Sequence, residues 1–337
     1  MKIIRTDQEL ETPWLDAELR KRGDLVLLPD GISEKAFIEE SRNADLILMC
    51  YTPVTAAVID AAECLKGIVK YGVGIDAIDI PAAIAKGVPV VNIPEYAEET
   101  VAEGAFALMI ALAKKLVPLD RQIRATGWAW PTQRWMGSDI AGKTVGIVGL
   151  GKIGKSFARM AGQGFRARVI SYTPGMSAEE MAEYGVEKVD DLHDLLAQSD
   201  FVSLHCTLND TTRHIIGAAE LQAMKPTAFL INSSRGALVD EAALVAALTE
   251  SRIAGAGIDV FSAEPLSLSG HLMSPLFTLS NVLMLPHLTF YTAEAMERLE
   301  RETLERCDEV LEGRPVLVKS HDPRLRAQAK RVRFPQV

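Results

Sequence analysis

The chain has 337 residues, with 36 Lys and Arg against 45 Asp and Glu, a formal charge of −9, and 48% hydrophobic residues. That composition excludes a disordered chain and a disulfide-stapled miniprotein, and a net-negative surface has no general excess of cations for nucleic-acid phosphates or anionic lipid. At about 100–200 residues per domain the length implies two domains.

The N-terminus MKIIRTDQEL reads as a short strand and not as a signal peptide. KIIR, DLVLLP, DLILMC, GIVKYG and GVPVVNI follow as strands, with helical patterns near 9–22, 33–42, 55–63 and 79–86 between them. Strands alternating with helices of this length imply βαβ units and a parallel sheet, and runs without in/out alternation imply burial on both faces. One long helix is expected from about Thr100 to Ala125. Its apolar stretch 105–113 is about half of the ~20 residues that a membrane span needs. The tryptophan-rich segment TGWAWPTQRWMGSDIAGK comes next, and Trp130 and Trp135 either line a site or plug the structure.

A second alternating series begins at KTVGIVG and continues with ARVISY, DFVSLH, TAFLINS, AGAGIDV and NVLMLP as strands. Helices are expected near 152–163, 191–198, 217–223, 240–250 and 292–312, and the residues from Lys319 read as a solvated basic tail. Cys50, Cys64, Cys206 and Cys307 lie far apart without a CxxC pair. That pattern fits buried, reduced thiols in a cytoplasmic protein, with no zinc site and no disulfide framework.

The strand KTVGIVG runs into Gly149-Leu150-Gly151-Lys152-Ile153-Gly154 and then a helix. In that context Gly149 permits a tight turn, Gly151 admits a pyrophosphate, and Gly154 lets helix and strand pack closely. The next strand places Thr173 where an acid would bind the adenosine ribose of NAD. Without a carboxylate the ribose 2′-phosphate of NADP is not repelled, and no arginine follows to hold it, so NAD and NADP both stand.

In an open parallel sheet, ligands bind outside the carboxyl ends of the strands. Three more segments put polar residues there: Ser233, Ser234 and Arg235 in FLINSSRGALVDEAAL, Asp259 and Glu264 in GAGIDVFSAEPL, and His287 in VLMLPHLTFYT. Asp240 reads as a helix N-cap for EAALVAAL.

With YGVGIDAID, ETVAE, GKTVGIVGLGKIG, INSSRGALVDEAAL, GIDVFSAEP and LPHLTFYT in this order, the sequence resembles the D-isomer-specific 2-hydroxyacid dehydrogenase family over nearly its whole length. The resemblance implies an α/β fold of two Rossmann-like, doubly wound parallel-sheet domains. A flavodoxin-like substrate domain of 1–100 and 289–337 would carry an inserted dinucleotide-binding domain of 101–288. It implies Arg235, Glu264 and His287 as the catalytic set and Val73–Gly74 as the substrate-carboxylate loop. Tyr51, Thr52 and Tyr291 would complete the substrate residues. Along NAD or NADP it places Thr100, the glycine loop with Lys152 and Ile153, Thr173, Cys206, Thr207, Thr212, Ser233, Ser234, Arg235 and His287, with Asp259 at the nicotinamide. It further implies a homodimer formed through the cofactor domain, a small 2-oxo or 2-hydroxy acid as substrate, and no bound metal.

The chemistry asks for these residue types. Reduction of a 2-oxo acid needs a proton donor that titrates near neutrality, which histidine supplies. A glutamate on its other ring nitrogen fixes the tautomer and favours the protonated ring. Arginine offers a planar fork to carboxylate and carbonyl. Formate dehydrogenase, a related family, has glutamine at the position of Glu264. A dinucleotide-sensing binding protein of the corepressor type, which keeps the same catalytic set, is the reading from another class.

Overall fold

Apolar runs covered on both faces become the strands of the structure, a computed structural model that describes residues 1–335. The chain divides into two compact units, Met1–Ala97 with Thr292–Val337, and Glu98–Tyr291. In the first, β1 (Lys2–Arg5), β2 (Asp24–Leu27), β3 (Leu46–Met49), β4 (Gly67–Lys70) and β5 (Val90–Asn92) alternate with α1 (Pro13–Arg20), α2 (Glu34–Ser41), α3 (Ala56–Ala61) and α4 (Ile80–Lys86). The sheet is parallel with strand order β2-β1-β3-β4-β5, the flavodoxin-like order. Central β3 and β4 are buried at every residue, whereas edge strand β2 is not. Helix starts are capped locally: Ser33, Thr55 and Asp79 accept from the backbone N–H groups of Ala36, Val58 and Ala82.

Where the strand order reverses, between β1 and β3, the chain fills its own crevice. Asp7, in the left-handed region at φ 59°, accepts from the backbone N–H groups of Cys50, Tyr51 and Thr52 at 2.9–3.3 Å. It also accepts from the Thr52 hydroxyl at 2.7 Å and from the Thr6 hydroxyl. Burial alone would raise this carboxyl, but the hydrogen bonds outweigh it and hold Asp7 below the usual carboxylate range.

The second unit opens with α5 (Glu98–Ala113) and α6 (Leu116–Thr126). The single helix expected over 100–125 is therefore two, divided at Lys115, which is left-handed at φ 52°. Pro118 is the reason that the sequence itself offers. Restarting at Leu116 puts the proline in a first helical turn, where no intrahelical N–H is required. Then come β6 (Thr144–Val148), α7 (Lys152–Arg159), β7 (Arg168–Tyr172), α8 (Ala178–Ala182), β8 (Glu187–Lys188), α9 (Leu192–Gln198), β9 (Phe201–Leu204), α10 (Ala218–Ala223), β10 (Phe229–Asn232), α11 (Glu241–Thr249), β11 (Gly255–Ile258) and β12 (Val282–Met284). The order β12-β11-β10-β9-β6-β7-β8 is parallel throughout and reverses at β6/β9. Short α8 and β8 were not expected from the sequence.

The chain then returns to the first unit through α12 (Ala293–Leu311), β13 (Val316–Leu317), α13 (Pro323–Arg326) and β14 (Val332–Arg333). The solvated tail expected from Lys319 is overturned for the described residues. Leu325 is fully buried, and β14 pairs with β13. The Gln328 amide both donates to the Val90 carbonyl and accepts from the Val90 N–H. An edge strand leaves such groups unpaired, and one glutamine meets both. The thiols also depart in part from expectation: all four are free, but Cys64 is exposed and Cys206 half-buried.

Candidate active site

Each side chain of the expected catalytic set follows a strand of the second unit. Arg235 follows β10 in a turn bracketed by Asn232, whose side chain donates to the Arg235 carbonyl at 2.9 Å and accepts from the Ser234 N–H at 3.1 Å. Next to it, Gly236 lies against the segment after β11. An added Cβ would sit 2.1 Å from the Phe261 carbonyl carbon and 2.2 Å from the Ser262 nitrogen. The buried Glu241 carboxylate accepts from that Ser262 N–H at 2.6 Å. These contacts fix the arginine turn against the loop that carries Glu264.

Glu264 meets His287 through Oε2 and Nδ1 at 2.9 Å, and its Oε1 accepts from the Phe261 N–H at 2.9 Å. Burial alone would raise the Glu264 carboxyl. The His287 hydrogen bond and charge, the Phe261 N–H and the nearby Arg235 charge together hold it below its ordinary range. A carboxylate on Nδ1 makes Nδ1 the protonated nitrogen of the neutral ring, so Nε2 is the atom that gains and loses the proton. His271 steadies the Glu264 loop: its Nδ1 accepts from the Met273 N–H and its Nε2 donates to the Ala263 carbonyl, both at 3.0 Å. Nothing in the sequence singled out His271 for this.

His287 is left-handed, at φ 60°. Such a conformation in a non-glycine residue costs on the order of 1–3 kcal/mol and persists only where its surroundings enforce it. Asp259 enforces it. Its carbonyl accepts from the His287 N–H at 2.8 Å, and its fully buried carboxylate accepts from the Leu288 N–H at 2.8 Å, the Thr289 N–H at 3.0 Å and the Thr289 hydroxyl at 2.6 Å. Its carboxylate thus holds the histidine turn.

At β6 the three glycines of the loop differ in their surroundings. Gly149 has φ 95°, and a Cβ there would be 2.6 Å from the Cys206 backbone. A Cβ on Gly151 would meet nothing within 4 Å, and one on Gly154 would lie 2.4 Å from the Gly149 carbonyl oxygen. Lys152 starts α7 and pairs with Glu98 at 3.0 Å, and half-buried Ile153 packs on the core. Thr100 is buried in the first turns of α5. The Thr173 hydroxyl accepts from the Leu150 N–H at 2.8 Å, so it clasps the loop itself. Burial pushes the Cys206 thiol up to about 11. Thr212 donates from its hydroxyl to the Thr207 carbonyl at 2.7 Å, closing one turn after β9. Ser234 donates to the Leu204 carbonyl at 2.9 Å.

Two buried polar atoms at the ends of β9 and β10, His205 Nδ1 and Ser233 Oγ, have no hydrogen-bond partner among the described residues. Open space at Gly151, orphaned polar atoms beside the β6/β9 reversal and the start of α7 fit a dinucleotide.

The remaining substrate residues are distributed. In the first unit Tyr51 is exposed, with Lys70 Nζ 5.4 Å from its ring centroid, and Thr52 is buried on Asp7. Val73 is exposed. Tyr291, in the second unit, is exposed and lies edge-on to Phe290. Trp130 is exposed and packs edge-on to Trp128, and Trp135 lies under the Arg134 guanidinium. No described helix is long and apolar enough to cross a membrane.

Changing Glu264 to Gln removes the carboxylate that His287 Nδ1 meets at 2.9 Å. The kcat/KM for reduction is expected to fall about tenfold or more with the melting temperature little changed; an unchanged kcat/KM would dissolve the pairing as a catalytic device.

The family described as D-isomer specific 2-hydroxyacid dehydrogenase, NAD binding domain, matches residues 106–289. A glyoxylate reductase of Korarchaeum cryptofilum is 42% identical over 270 residues, 79% of this chain and 80% of that one. D-lactate dehydrogenase from Aquifex aeolicus, solved with NAD and lactic acid, superposes with a TM-score of 0.82 at 27% identity, covering 92% of this chain and 96% of that one. An acyclic imino acid reductase solved with NADPH and D-Arg gives 0.80 at 29%, covering 93% and 97%. Of a similar D-3-phosphoglycerate dehydrogenase from Methanocaldococcus jannaschii the chain spans only 53% of the length. On this sequence match and this pair of parallel-sheet units, the chain belongs to the D-isomer specific 2-hydroxyacid dehydrogenase family and is an NAD(P)-dependent oxidoreductase of 2-hydroxy acids.

Proposed function

We propose that the chain reduces a small 2-oxo acid, glyoxylate foremost, with His287 as the acid and base. The observation that carries this is the His287–Glu264 pair at 2.9 Å, within reach of the Arg235 charge. The similarity to glyoxylate reductase puts glyoxylate first. A bound nicotinamide dinucleotide supplies the hydride to C2. His287 Nε2 gives its proton to the oxygen that becomes the hydroxyl, and in oxidation takes it back. Glu264 holds the ring and balances the imidazolium, and Arg235 binds the carboxylate and polarises the carbonyl. The first unit is the substrate-binding domain and the second the dinucleotide domain. With Thr173 turned to the glycine loop, neither a ribose-binding acid nor a phosphate-binding cation stands at that position, so NADH and NADPH both serve. The test is a rate screen of glyoxylate, hydroxypyruvate, pyruvate and phenylpyruvate with each cofactor. No turnover with any pair, while dinucleotide still binds, would overturn it in favour of a dinucleotide-sensing protein.

The working form is a cytoplasmic homodimer built on the dinucleotide unit. Free thiols support the compartment. For the dimer, α6 buries none of its residues within this chain, and Leu116, Ile123, Trp128, Trp130 and Met136 are all exposed around it. Light scattering that gives the mass of a single chain would overturn the dimer.

A further inference from the structure

We propose that Asn92 is a positioning residue for substrate-carboxylate binding, acting through the Val73 and Gly74 peptides. The inference rests on the reading above, that a 2-oxo acid is bound and that Val73–Gly74 receives its carboxylate. Asn92 ends β5, and its Nδ2 donates to the Val73 carbonyl at 2.6 Å. The next residue, Ile93, donates its N–H to the Gly72 carbonyl at 3.0 Å. Two successive carbonyls are thus drawn toward β5. In a planar trans peptide the N–H points opposite to the C=O. The N–H groups of Val73 and Gly74 are therefore aimed together away from β5, and neither has an acceptor among the described residues. Gly72, at φ 122°, supplies the conformation that starts this turn. Successive N–H groups presented on one side form an anion-binding concavity.

One detail shows what the side chain is kept for. Asn92 is 3% exposed, and its Oδ1 is buried without a hydrogen-bond partner among the described residues. A hydrophobic residue would leave no orphaned acceptor, so the amide is retained for its donor. Of the two carbonyl contacts, the one from Ile93 is backbone and available to any residue but proline. The one from Asn92 depends on the side chain, and it sets the direction of the Gly74 N–H.

Asn92→Ala and the isosteric Asn92→Asp test this. An ionised aspartate cannot donate to the Val73 carbonyl, whereas a protonated one can, and burial favours the protonated form. In both variants KM for glyoxylate and the inhibition constant of oxamate are expected to rise about tenfold or more, with a smaller change in kcat and unchanged dinucleotide affinity. In Asn92→Asp alone the KM ratio to wild type falls as pH is lowered from 8 to 5. A merely structural asparagine would not produce that acid rescue. Wild-type KM values in both variants, or a ratio that ignores pH, would overturn the positioning role. If the wild-type protein itself neither reduces glyoxylate nor binds oxamate, the substrate reading falls and this inference with it, a distinguishable result.

Discussion

Alanine at His287 is expected to lower kcat for 2-oxo acid reduction by about 10²–10⁴-fold, the range that a positioned general acid contributes. That is roughly 3–5 kcal/mol of barrier at 1.36 kcal/mol per decade. Dinucleotide affinity should stay as in the wild type, because the glycine loop lies at β6 and the histidine turn follows β12. Alanine is also strained at φ 60°, so a loss of fold could imitate a loss of chemistry. His287→Asn separates the two. Asparagine tolerates the left-handed conformation but cannot carry the proton. Both variants should lose turnover, and the asparagine should keep the wild-type melting temperature. A dinucleotide affinity that falls in step with kcat would make His287 a binding residue instead.

The second large effect is expected at Gly236, which touches no reacting atom. A methyl there would sit 2.1–2.2 Å from the backbone of Phe261 and Ser262, far inside van der Waals contact. Backbone cannot rotate aside as a side chain can. Overpacking of this kind costs about 1–3 kcal/mol or more, which for a domain of this size lowers Tm by about 2–4 °C per kcal/mol. Because the clash pushes the Arg235 turn from the Glu264 loop, kcat/KM should fall at least about tenfold even at temperatures where the variant is fully folded. Gly164→Ala, where an added methyl meets nothing within 4 Å, is the control. If Gly236→Ala behaved like Gly164→Ala, the close approach would carry no functional weight.

What the sequence made legible was local. Both series of apolar runs became parallel sheets, because strands buried on both faces announce themselves by composition. Asp240 caps α11 through the N–H groups of Ala242 and Ala243, as a residue just before a helix can be expected to. The strand–glycine-loop–helix order was equally plain, since β6, the glycines and α7 follow one another directly along the chain. What escaped depends on partners far along the chain. Asn92 reaches back 19 residues to Val73, and Gly236 is constrained by Phe261. Gln328 completes a strand 238 residues earlier, so a basic composition at the C-terminus misled where one amide mattered. The break at Lys115 was missed because the hydrophobic pattern runs on through it, although Pro118 stood there as a signal. At Asp259 the sequence offers a strand-end cap beside the ligand contact that the resemblance implies, and the partners of that cap, Leu288 and Thr289, lie 29 and 30 residues on.

The chain contains two sheets whose strand orders both reverse, and such reversals are where phosphorylated ligands settle. The two reversals are furnished differently. Asp7 places a negative charge on the N–H groups of Cys50, Tyr51 and Thr52. The duplication of architecture is thus not a duplication of free donors: the protein answers one reversal with its own anion, whereas the other has the open space at Gly151 and the partnerless His205 Nδ1 and Ser233 Oγ. Acid works against that arrangement. Because Asp7 is held below the usual range, its contribution is present above about pH 4 and drains away as the pH falls through its lowered value.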